Sequence, residues 1–484
     1  MNTERKNYAL PIAMMFALFF MIAFVTGLPS PMGVIVAKQF GATNFMSQLG
    51  FFANFIAYAF MGIPAGMMLK NLGYKKTALI AIGVGFTGVG VQFLSGQMGS
   101  FAVYLSGAFI SGFSMCMLNA VVNPMLNTLG GGGNKGNQLI QFGGSINSIA
   151  ATITPMLVGY LMGAEAGRTI EKANPALFLA MGIFALAFFV LTFVQIPEPH
   201  KERVAKAGAS KGKDKHSPLS FRHFIFGAIA IFVYVGVEIG IPSTANLFMT
   251  SFTEEVAREK IAEYEKQQVD PMYFEALKLE DEANKDNDGY VQKVIGEDSY
   301  IKAQDIISGK TCAGLNKDAG LAGIVVGLYW LLMLVGRLVG ASIGAKVSSK
   351  MMMIAVSSTG LVFLALAILL PTTLTVQIPI NVSLETTEMP INILFIILCG
   401  FCTSIMWGGI FNLAVEGLGK YTEAASGIFM VMVMGGGIVP LIQGSVADAF
   451  GYLNSYWVMF ACMAYMLWYA IYGCKNVNKD IPVE

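Results

Sequence analysis

Three asparagines recur at a fixed spacing inside a long apolar stretch of the chain. Asn119, Asn123 and Asn127 lie four residues apart within residues 101–127, which places three carboxamides along one face of a helix. An amide stripe that faced lipid would be costly, so it must face other helices or a water-filled cavity. Carboxamides donate and accept hydrogen bonds, which suits a neutral, hydroxylated ligand. We predict that Asn119 and Asn123 bind substrate; for Asn127, bonding to neighbouring helices explains the amide equally well.

Glu238 is the only acidic residue well inside an apolar run, residues 223–251. Burial disfavours the charged form of a lone carboxylate, so Glu238 could be a neutral hydrogen-bond donor, a proton carrier or one ligand of a bound cation. Pairing with a neighbouring polar helix is the alternative. Because acids inside a membrane are expensive, we favour a role in substrate binding and ion coupling.

Other polar and aromatic residues in apolar runs complete the predicted site. Trp407 could stack its indole on the apolar face of a sugar ring. The further substrate-binding candidates are Gln141, Asn147 and Asn412. Arg337 and Glu416 lie near the ends of their runs, and we predict that they are anchors or gate-forming residues rather than ligand contacts.

Several kinds of chemistry lack the residues they need. No phosphate loop of the G-x-x-x-x-G-K-[ST] type occurs, which argues against direct nucleotide-driven pumping. All three histidines lie in or beside one polar segment, which argues against a proton relay or metal site within a membrane. Six scattered cysteines do not suggest a disulfide framework. We therefore expect no catalytic residues, no metal and no cofactor, with a co-transported proton or sodium ion still open.

The composition is typical of a membrane protein. Of 484 residues, 55% are hydrophobic and 13% are charged, whereas an ordinary soluble protein carries about 25% charge. The net charge of +1 gives no electrostatic argument for binding nucleic acid. A helix needs about 20 mainly apolar residues to cross a bilayer. Twelve such runs are present, at residues 9–36, 45–69, 77–95, 101–127, 138–162, 176–196, 223–251, 320–345, 351–370, 391–416, 424–446 and 455–474.

Basic residues predict the orientation of these runs. If the N-terminus is cytoplasmic, the inner segments hold eighteen Lys and Arg residues and the short outer loops hold three. This bias predicts that both termini are cytoplasmic. The predicted organisation is an N-terminal six-helix half (1–196), a cytoplasmic linker (197–222), a C-terminal six-helix half (223–474) and a cytoplasmic tail (475–484).

The long polar segment within the second half, residues 253–319, is strongly acidic. It contains sixteen acids and nine bases, a local charge of −7. The spacing of apolar residues within 256–266 and 273–282 suggests helices. We predict a small polar cap on the outer side.

Short motifs recur at equivalent positions of the two halves. One is Gly62-x-x-x-Gly66 with Lys76, which recurs 274 residues later as Gly336-x-x-x-Gly340 with Lys350. Another is Pro155-x-x-x-Gly159, which recurs as Pro440-x-x-x-Gly444. Together they favour a parallel six-plus-six repeat, the layout of the major facilitator fold. The predicted fold class is therefore an all-α membrane protein with twelve transmembrane helices in two six-helix halves.

Several segments resemble the fucose/glucose-galactose symporter family of the major facilitator superfamily. They are Tyr234 to Glu238, Asn119 to Pro124, Asn147-Ser148, Gly336-Arg337, Gly435 to Pro440 and Val446-Ala447-Asp448. The segment from Gly66 to Lys76 is similar to the inner-loop motif of the superfamily, which implies a gating or structural role for both residues. The resemblance covers most of both halves. It implies a monosaccharide carrier that works by alternating access, often driven by a proton or sodium ion.

The chain departs from the fucose permeases at two acidic positions. Where those proteins have an acid in the first span, this chain has Ser30, and where they have a glutamate ahead of the Asn-Pro of the fourth span, it has Asn119. Glu238 and Trp407 instead match the glucose/galactose members, although Gly408 replaces the usual proline. The resemblance therefore implies a hexose as substrate and does not supply the familiar proton-coupling acids.

We expect a secondary active transporter for a neutral, hexose-like monosaccharide in the cytoplasmic (inner) membrane, functional as a monomer. The alternatives are an exporter of drugs or other small solutes of the same superfamily, an uncoupled sugar facilitator, and a membrane receptor or scaffold suggested by the acidic outer segment. The amide stripe argues against a drug exporter, which would need an apolar, aromatic cavity.

Overall fold

The computed structural model describes most of the chain. It covers residues 8–29, 32, 44–130, 133–161, 173–194, 196, 216–284, 292–343, 347–380, 385–418, 421–478 and 480–481. The predicted end of the first apolar run, Ser30 and most of the predicted linker lie outside the described residues.

The first half consists of six long helices. They are α1 (Ala9–Gly27), α2 (Leu49–Leu72), α3 (Tyr74–Met98), α4 (Phe101–Leu129), α5 (Gly133–Leu161) and α6 (Asn174–Phe193). A one-turn helix, Asn44–Ser47, precedes α2. Gly73, at φ 86°, and Gly99, at φ 58°, form the turns on either side of α3, where a side chain would be strained.

The second half contains the other membrane-length segments and an insertion. They are α7 (Arg222–Thr250), the insertion helices α8 (Glu254–Val269), α9 (Pro271–Asn284) and α10 (Glu297–Ile307), and then α11 (Ala319–Ile343), α12 (Ser349–Leu369), α13 (Ile391–Thr403), α14 (Met406–Val415), α15 (Thr422–Met432), α16 (Gly435–Phe450) and α17 (Tyr452–Trp468). A π-helical turn, Tyr469–Gly473, extends α17. Strands β1 (Thr375–Pro379) and β2 (Thr386–Pro390) form an antiparallel hairpin before α13, with Gln377 opposite Glu388.

Helices occupy all twelve predicted apolar runs. Ten helical segments of the described chain are long and apolar enough to cross a membrane. The other two runs contain α5, with a shorter apolar stretch at Phe142–Val158, and the 17-residue α17 with its π-helical extension. The tenth and eleventh spans, predicted as continuous, are interrupted at 404–405 and at 433–434. Beside the first interruption, the Thr403 and Ser404 hydroxyls donate to the carbonyls of Gly400 and Phe401, a side-chain bonding pattern that bends helices.

Helices of the two halves pack directly against each other. α2 packs against α15 and α16, and α5 packs against α11. The bundle has one face that carries the insertion, which we call the cap face, and an opposite face, which we call the linker face. At the cap face, the Phe45 N–H donates to Asp448 Oδ2 at 3.0 Å, and Gln48 Nε2 donates to Ser243 Oγ at 3.2 Å. These bonds connect the N-terminal half to α16 and α7.

The acidic insertion is an ordered cap mounted on the end of α7. The two predicted helical phases are α8 and α9, and α10 adds a third helix that the sequence did not reveal. The returning segment runs beside the end of α7, where the N–H groups of Gly314, Leu315, Asn316 and Lys317 donate to the carbonyls of Phe252, Phe248, Ser251 and Met249. These bonds satisfy carbonyls that a helix end otherwise leaves free. Partial burial and the nearby Asp448 raise the pKa of the Cys312 thiol, which therefore stays neutral beside the Asp448 carbonyl.

Candidate functional site

The asparagines of α4 form a partly buried polar face. Asn119 Nδ2 donates to the Tyr58 hydroxyl and to the Met115 carbonyl, both at 3.1 Å, and Asn123 Nδ2 donates to the Asn119 carbonyl at 3.0 Å. No described residue donates to the Oδ1 atom of either asparagine. Both amides therefore offer an acceptor to a ligand hydroxyl. The side chain of Asn127 lies outside the described residues.

Proline interrupts the helical backbone hydrogen bonds beside the α4 asparagines and beside Glu238. Pro124 lies inside α4 and Pro242 lies inside α7. Since proline has no N–H, Ala120 and Glu238 cannot receive the usual bond from four residues ahead. Each helix therefore carries a backbone carbonyl without its helical donor next to the polar side chains of the site.

A buried ion pair lies at the centre of the C-terminal half. Glu238 Oε1 of α7 is 3.5 Å from Arg337 Nη2 of α11, with the two side chains 16% and 11% exposed. The carboxylate is thus paired, the alternative that the sequence left open, and its partner is an arginine 99 positions away. Arg337 also donates from Nε to the Ser404 carbonyl at 3.4 Å, and from Nη1 to the Gly144 carbonyl of α5. Arg337 therefore contacts both halves, and its role as a gate or anchor stays a prediction.

Aromatic residues flank this pair. The rings of Tyr234 and Trp407 lie 6.3 Å apart at 54°, and Tyr234 precedes Glu238 by one helical turn. The Tyr234 hydroxyl interacts electrostatically with Glu238 and Arg337 but makes no hydrogen bond of normal geometry to a described residue. Tyr329 on α11 bonds to the Thr403 hydroxyl at 3.0 Å. The half-buried indole of Trp407 thus lies beside Tyr234, whose hydroxyl interacts with the charged pair.

The other predicted residues make contacts of their own or are exposed. Asn147 Nδ2 donates to the Phe19 carbonyl at 3.2 Å, so this amide joins α5 to α1. Asn412 and Glu416, farther along the chain from Trp407, have exposed side chains. The Glu416 carbonyl accepts a hydrogen bond from His223 Nε2 at 3.0 Å. The Gln141 side chain lies outside the described residues.

The two residues of the predicted inner-loop motif are exposed. Gly66 is exposed, and a Cβ atom placed on it would meet no atom within 4 Å. Lys76 is also exposed. Neither residue makes the close helix contact that a gate requires, so their gating role stays a prediction.

Three residues near the site were not predicted from the sequence. Tyr58 accepts a hydrogen bond from Asn119, and Tyr234 contacts the Trp407 ring and interacts with Glu238. Gln443 is fully buried on α16 with no hydrogen bond to a described residue from either amide atom. Tyr234 has a sequence signal, because it stands four residues before the intramembrane acid. Tyr58 and Gln443 had none, since contacts between separate helices do not follow from one helix's periodicity.

The site thus has two parts. The N-terminal half supplies neutral amides, and the C-terminal half supplies a charged pair with aromatic neighbours; Arg337 links the halves through Gly144. Within the described chain, no group of three or more His, Cys, Asp or Glu residues could hold a metal ion. Such a site can bind a hydroxylated ligand and respond to a cation.

Comparison with known proteins places the chain in a family. It is similar to the glucose/galactose transporter of Brucella abortus biovar 1 (strain 9-941), with 25% identity over 480 residues covering 98% of this chain and 97% of that one. It is also similar to the putative glucose/galactose transporter of Helicobacter pylori (strain ATCC 700392 / 26695), with 25% identity over 495 residues covering 99% and 100%.

The fold matches a solved structure. The crystal structure of the Major Facilitator Superfamily transporter FucP in the outward conformation aligns with a TM-score of 0.62 at 17% identity, covering 97% of this chain and 100% of that one. The sequence model of the Major Facilitator Superfamily matches residues 14–257, just over half of the chain. The twelve helical spans of this chain, arranged in two halves, are those of a multi-pass membrane transporter and not of an enzyme. The chain belongs to the Major Facilitator Superfamily.

Proposed function

We propose that this protein carries a neutral, hexose-like monosaccharide across the membrane by alternating access, coupled to a proton or a sodium ion. The observation that carries the proposal is the amide face of α4. Asn119 and Asn123 keep their Oδ1 acceptors free of described donors while their Nδ2 groups are held in place by local bonds. Preorganised neutral acceptors favour a ligand that is rich in hydroxyl groups and uncharged.

The relatives support the substrate class. Two proteins that align along nearly the whole chain are named glucose/galactose transporter, one of them putatively. Trp407 adds an aromatic surface beside Tyr234, suitable for the apolar face of a pyranose ring.

Glu238 is the proposed site of ion coupling. Its carboxylate is largely buried and can be neutralised by a cation. No metal or other cofactor is part of the proposal. A second candidate function is an uncoupled sugar facilitator, because Arg337 already supplies Glu238 with a fixed counter-charge.

We also propose the orientation and setting. The excess of basic residues on the linker face supports a cytoplasmic position for that face and for both termini, with the cap outside. The membrane is then the cytoplasmic (inner) membrane. A single chain has both halves needed for alternating access, which supports a functional monomer.

Uptake into proteoliposomes tests the substrate. We expect labelled glucose or galactose to exchange across the membrane and Asn119→Ala to lower that exchange. Asn454→Ala is the matched control, because its Nδ2 also donates to the carbonyl four residues earlier, that of Phe450 at 2.7 Å, but it is exposed at the start of α17. If no monosaccharide exchanges, or if Asn119→Ala behaves like the control, the assignment is wrong.

A further inference from the structure

Arg337 shares one positive charge among acceptors on three other helices. Its guanidinium meets the Glu238 carboxylate on α7, the Ser404 carbonyl at the end of α13 and the Gly144 carbonyl on α5. Only the first of these carries a full negative charge. The first two acceptors belong to the C-terminal half and the third belongs to the N-terminal half.

The contact between halves depends on Gly144 having no side chain. A Cβ atom at this position would lie 3.2 Å from Arg337 Nη1 and would crowd the guanidinium. Within its own half, Gly336 lets α11 approach the interruption of the tenth span, because a Cβ atom there would lie 2.3 Å from Ser404 Oγ. Gly144 thus leaves room for the Arg337 guanidinium, and Gly336 allows α11 to approach Ser404 closely.

Electrostatics makes this contact sensitive to Glu238. A largely buried guanidinium is stable while the negative charge of a carboxylate compensates its positive charge. Backbone carbonyls alone do not compensate that charge. A cation bound at Glu238 would remove the balance. Arg337 would then gain free energy by reaching water, which requires α5 and α11 to separate near the linker face.

We propose that Arg337 is a positioning residue that transmits cation occupancy of Glu238 to the contact between the two halves. The inference rests on the proposed function for cation binding at Glu238 and for the movement of the halves. When Glu238 is free, the ion pair holds Arg337 against Gly144 and the linker face stays closed at this level. When a cation neutralises Glu238, the Gly144 contact is released.

The titratable and charged groups around the ion pair determine which side chains can respond to a cation. Among described residues, the titratable or charged groups that face it are Tyr234 from α7 and Tyr329 from α11. From α5 and α13 the pair meets backbone carbonyls. A proton and a sodium ion would both act through the same carboxylate, so separate experimental arms must distinguish them.

Hydrogen–deuterium exchange of the full-length protein in nanodiscs, without sugar, tests the proposal. In the wild type we expect sodium at constant pH, or acid without sodium, to raise exchange around Gly144 in α5 and Arg337 in α11 by about fivefold or more, relative to the intrinsic amide exchange rate at each pH. The condition that speeds exchange, sodium or acid, identifies the ion that acts on Glu238. Exchange that neither arm changes would overturn the proposal.

Variants separate the coupling from general damage to the fold. We expect fast, cation-independent exchange in Glu238→Gln and in Arg337→Gln, and partial recovery of the cation response in Arg337→Lys. Gly144→Ala keeps both charges and should still speed exchange around Arg337, so it serves if the charge variants fail to fold. Gly182→Ala on α6 is its control, because a Cβ atom there meets nothing within 4 Å.

Two results would contradict the role of Arg337. One is a wild-type cation response in Arg337→Gln, and the other is a wild-type exchange pattern in Gly144→Ala. The readout also separates this proposal from the sugar assignment. A cation response without monosaccharide transport would reject the substrate alone, whereas transport without a cation response would reject the role of Arg337 alone.

Discussion

The amides of α4 in the N-terminal half and the Glu238–Arg337 pair in the C-terminal half are held in different ways. In the N-terminal half, Asn119 and Asn123 donate to carbonyls of their own helix, so their positions depend little on the other half. In the C-terminal half, Glu238 depends on Arg337, and Arg337 depends on a carbonyl across the interface between halves. Local neutral bonds suit a binding surface that must remain intact throughout a transport cycle. A shared charge suits a contact that must form and break.

The largest effect on stability should come from removing one charge of the pair. Arg337→Ala leaves Glu238 largely buried without a counter-charge, so we expect the free energy of unfolding to fall by about 3 kcal/mol. Chemical denaturation in mixed micelles measures this. The double variant Glu238→Gln with Arg337→Gln should lose less, because it removes both charges. A double variant that loses the sum of the losses of Arg337→Gln and Glu238→Gln would show that the pair is not coupled.

The amide face should give the largest effect on transport with little effect on stability. Asn119→Ala removes one acceptor for a ligand hydroxyl, and a loss of about 1.4 kcal/mol corresponds to about a tenfold lower kcat/KM. Initial uptake rates at several sugar concentrations give this ratio. If Asn119→Ala unfolds as easily as Arg337→Ala, the amides are structural and the contrast between the halves fails.

A smaller effect is expected at the aromatic edge of the charged half. Stacking of a sugar ring on Trp407 would contribute about 0.5–1.5 kcal/mol, so Trp407→Ala should raise KM by up to about tenfold while Trp407→Phe has a weaker effect. Competition by unlabelled sugar measures both. An unchanged KM in Trp407→Ala would leave sugar recognition to the N-terminal half.

The smallest effect should come from the cap. Replacing residues 256–310 with a short Gly/Ser linker keeps the segment 314–317 that bonds to the end of α7, so we expect uptake within about twofold of the wild type. Extending the deletion to 317 also removes four backbone hydrogen bonds, each contributing about 0.5–1.5 kcal/mol, and should destabilise the protein. Loss of transport in the shorter deletion would assign the cap a role that a receptor or scaffold needs and a carrier does not.

The sequence predicted the spans but not the contacts between them. Hydropathy reveals that α7 and α11 lie in the membrane, because apolar runs of this length are rare in soluble proteins. It does not show that Glu238 meets Arg337, since pairing depends on how the two helices are rotated and aligned. The interruption at 404–405 was hidden for a related reason, because side-chain bonds to the backbone do not alter the hydropathy of the run. The amide face of α4 was predictable, as its spacing lies within one helix.

The most direct test compares exchange with accumulation in proteoliposomes. Glu238→Gln should retain equilibrium exchange of the monosaccharide and lose accumulation against a gradient of the sugar when a proton or sodium gradient is imposed. Asn119→Ala should lose most of both activities. Accumulation by Glu238→Gln at the wild-type level would contradict the account, because it would show that coupling does not depend on the charged pair.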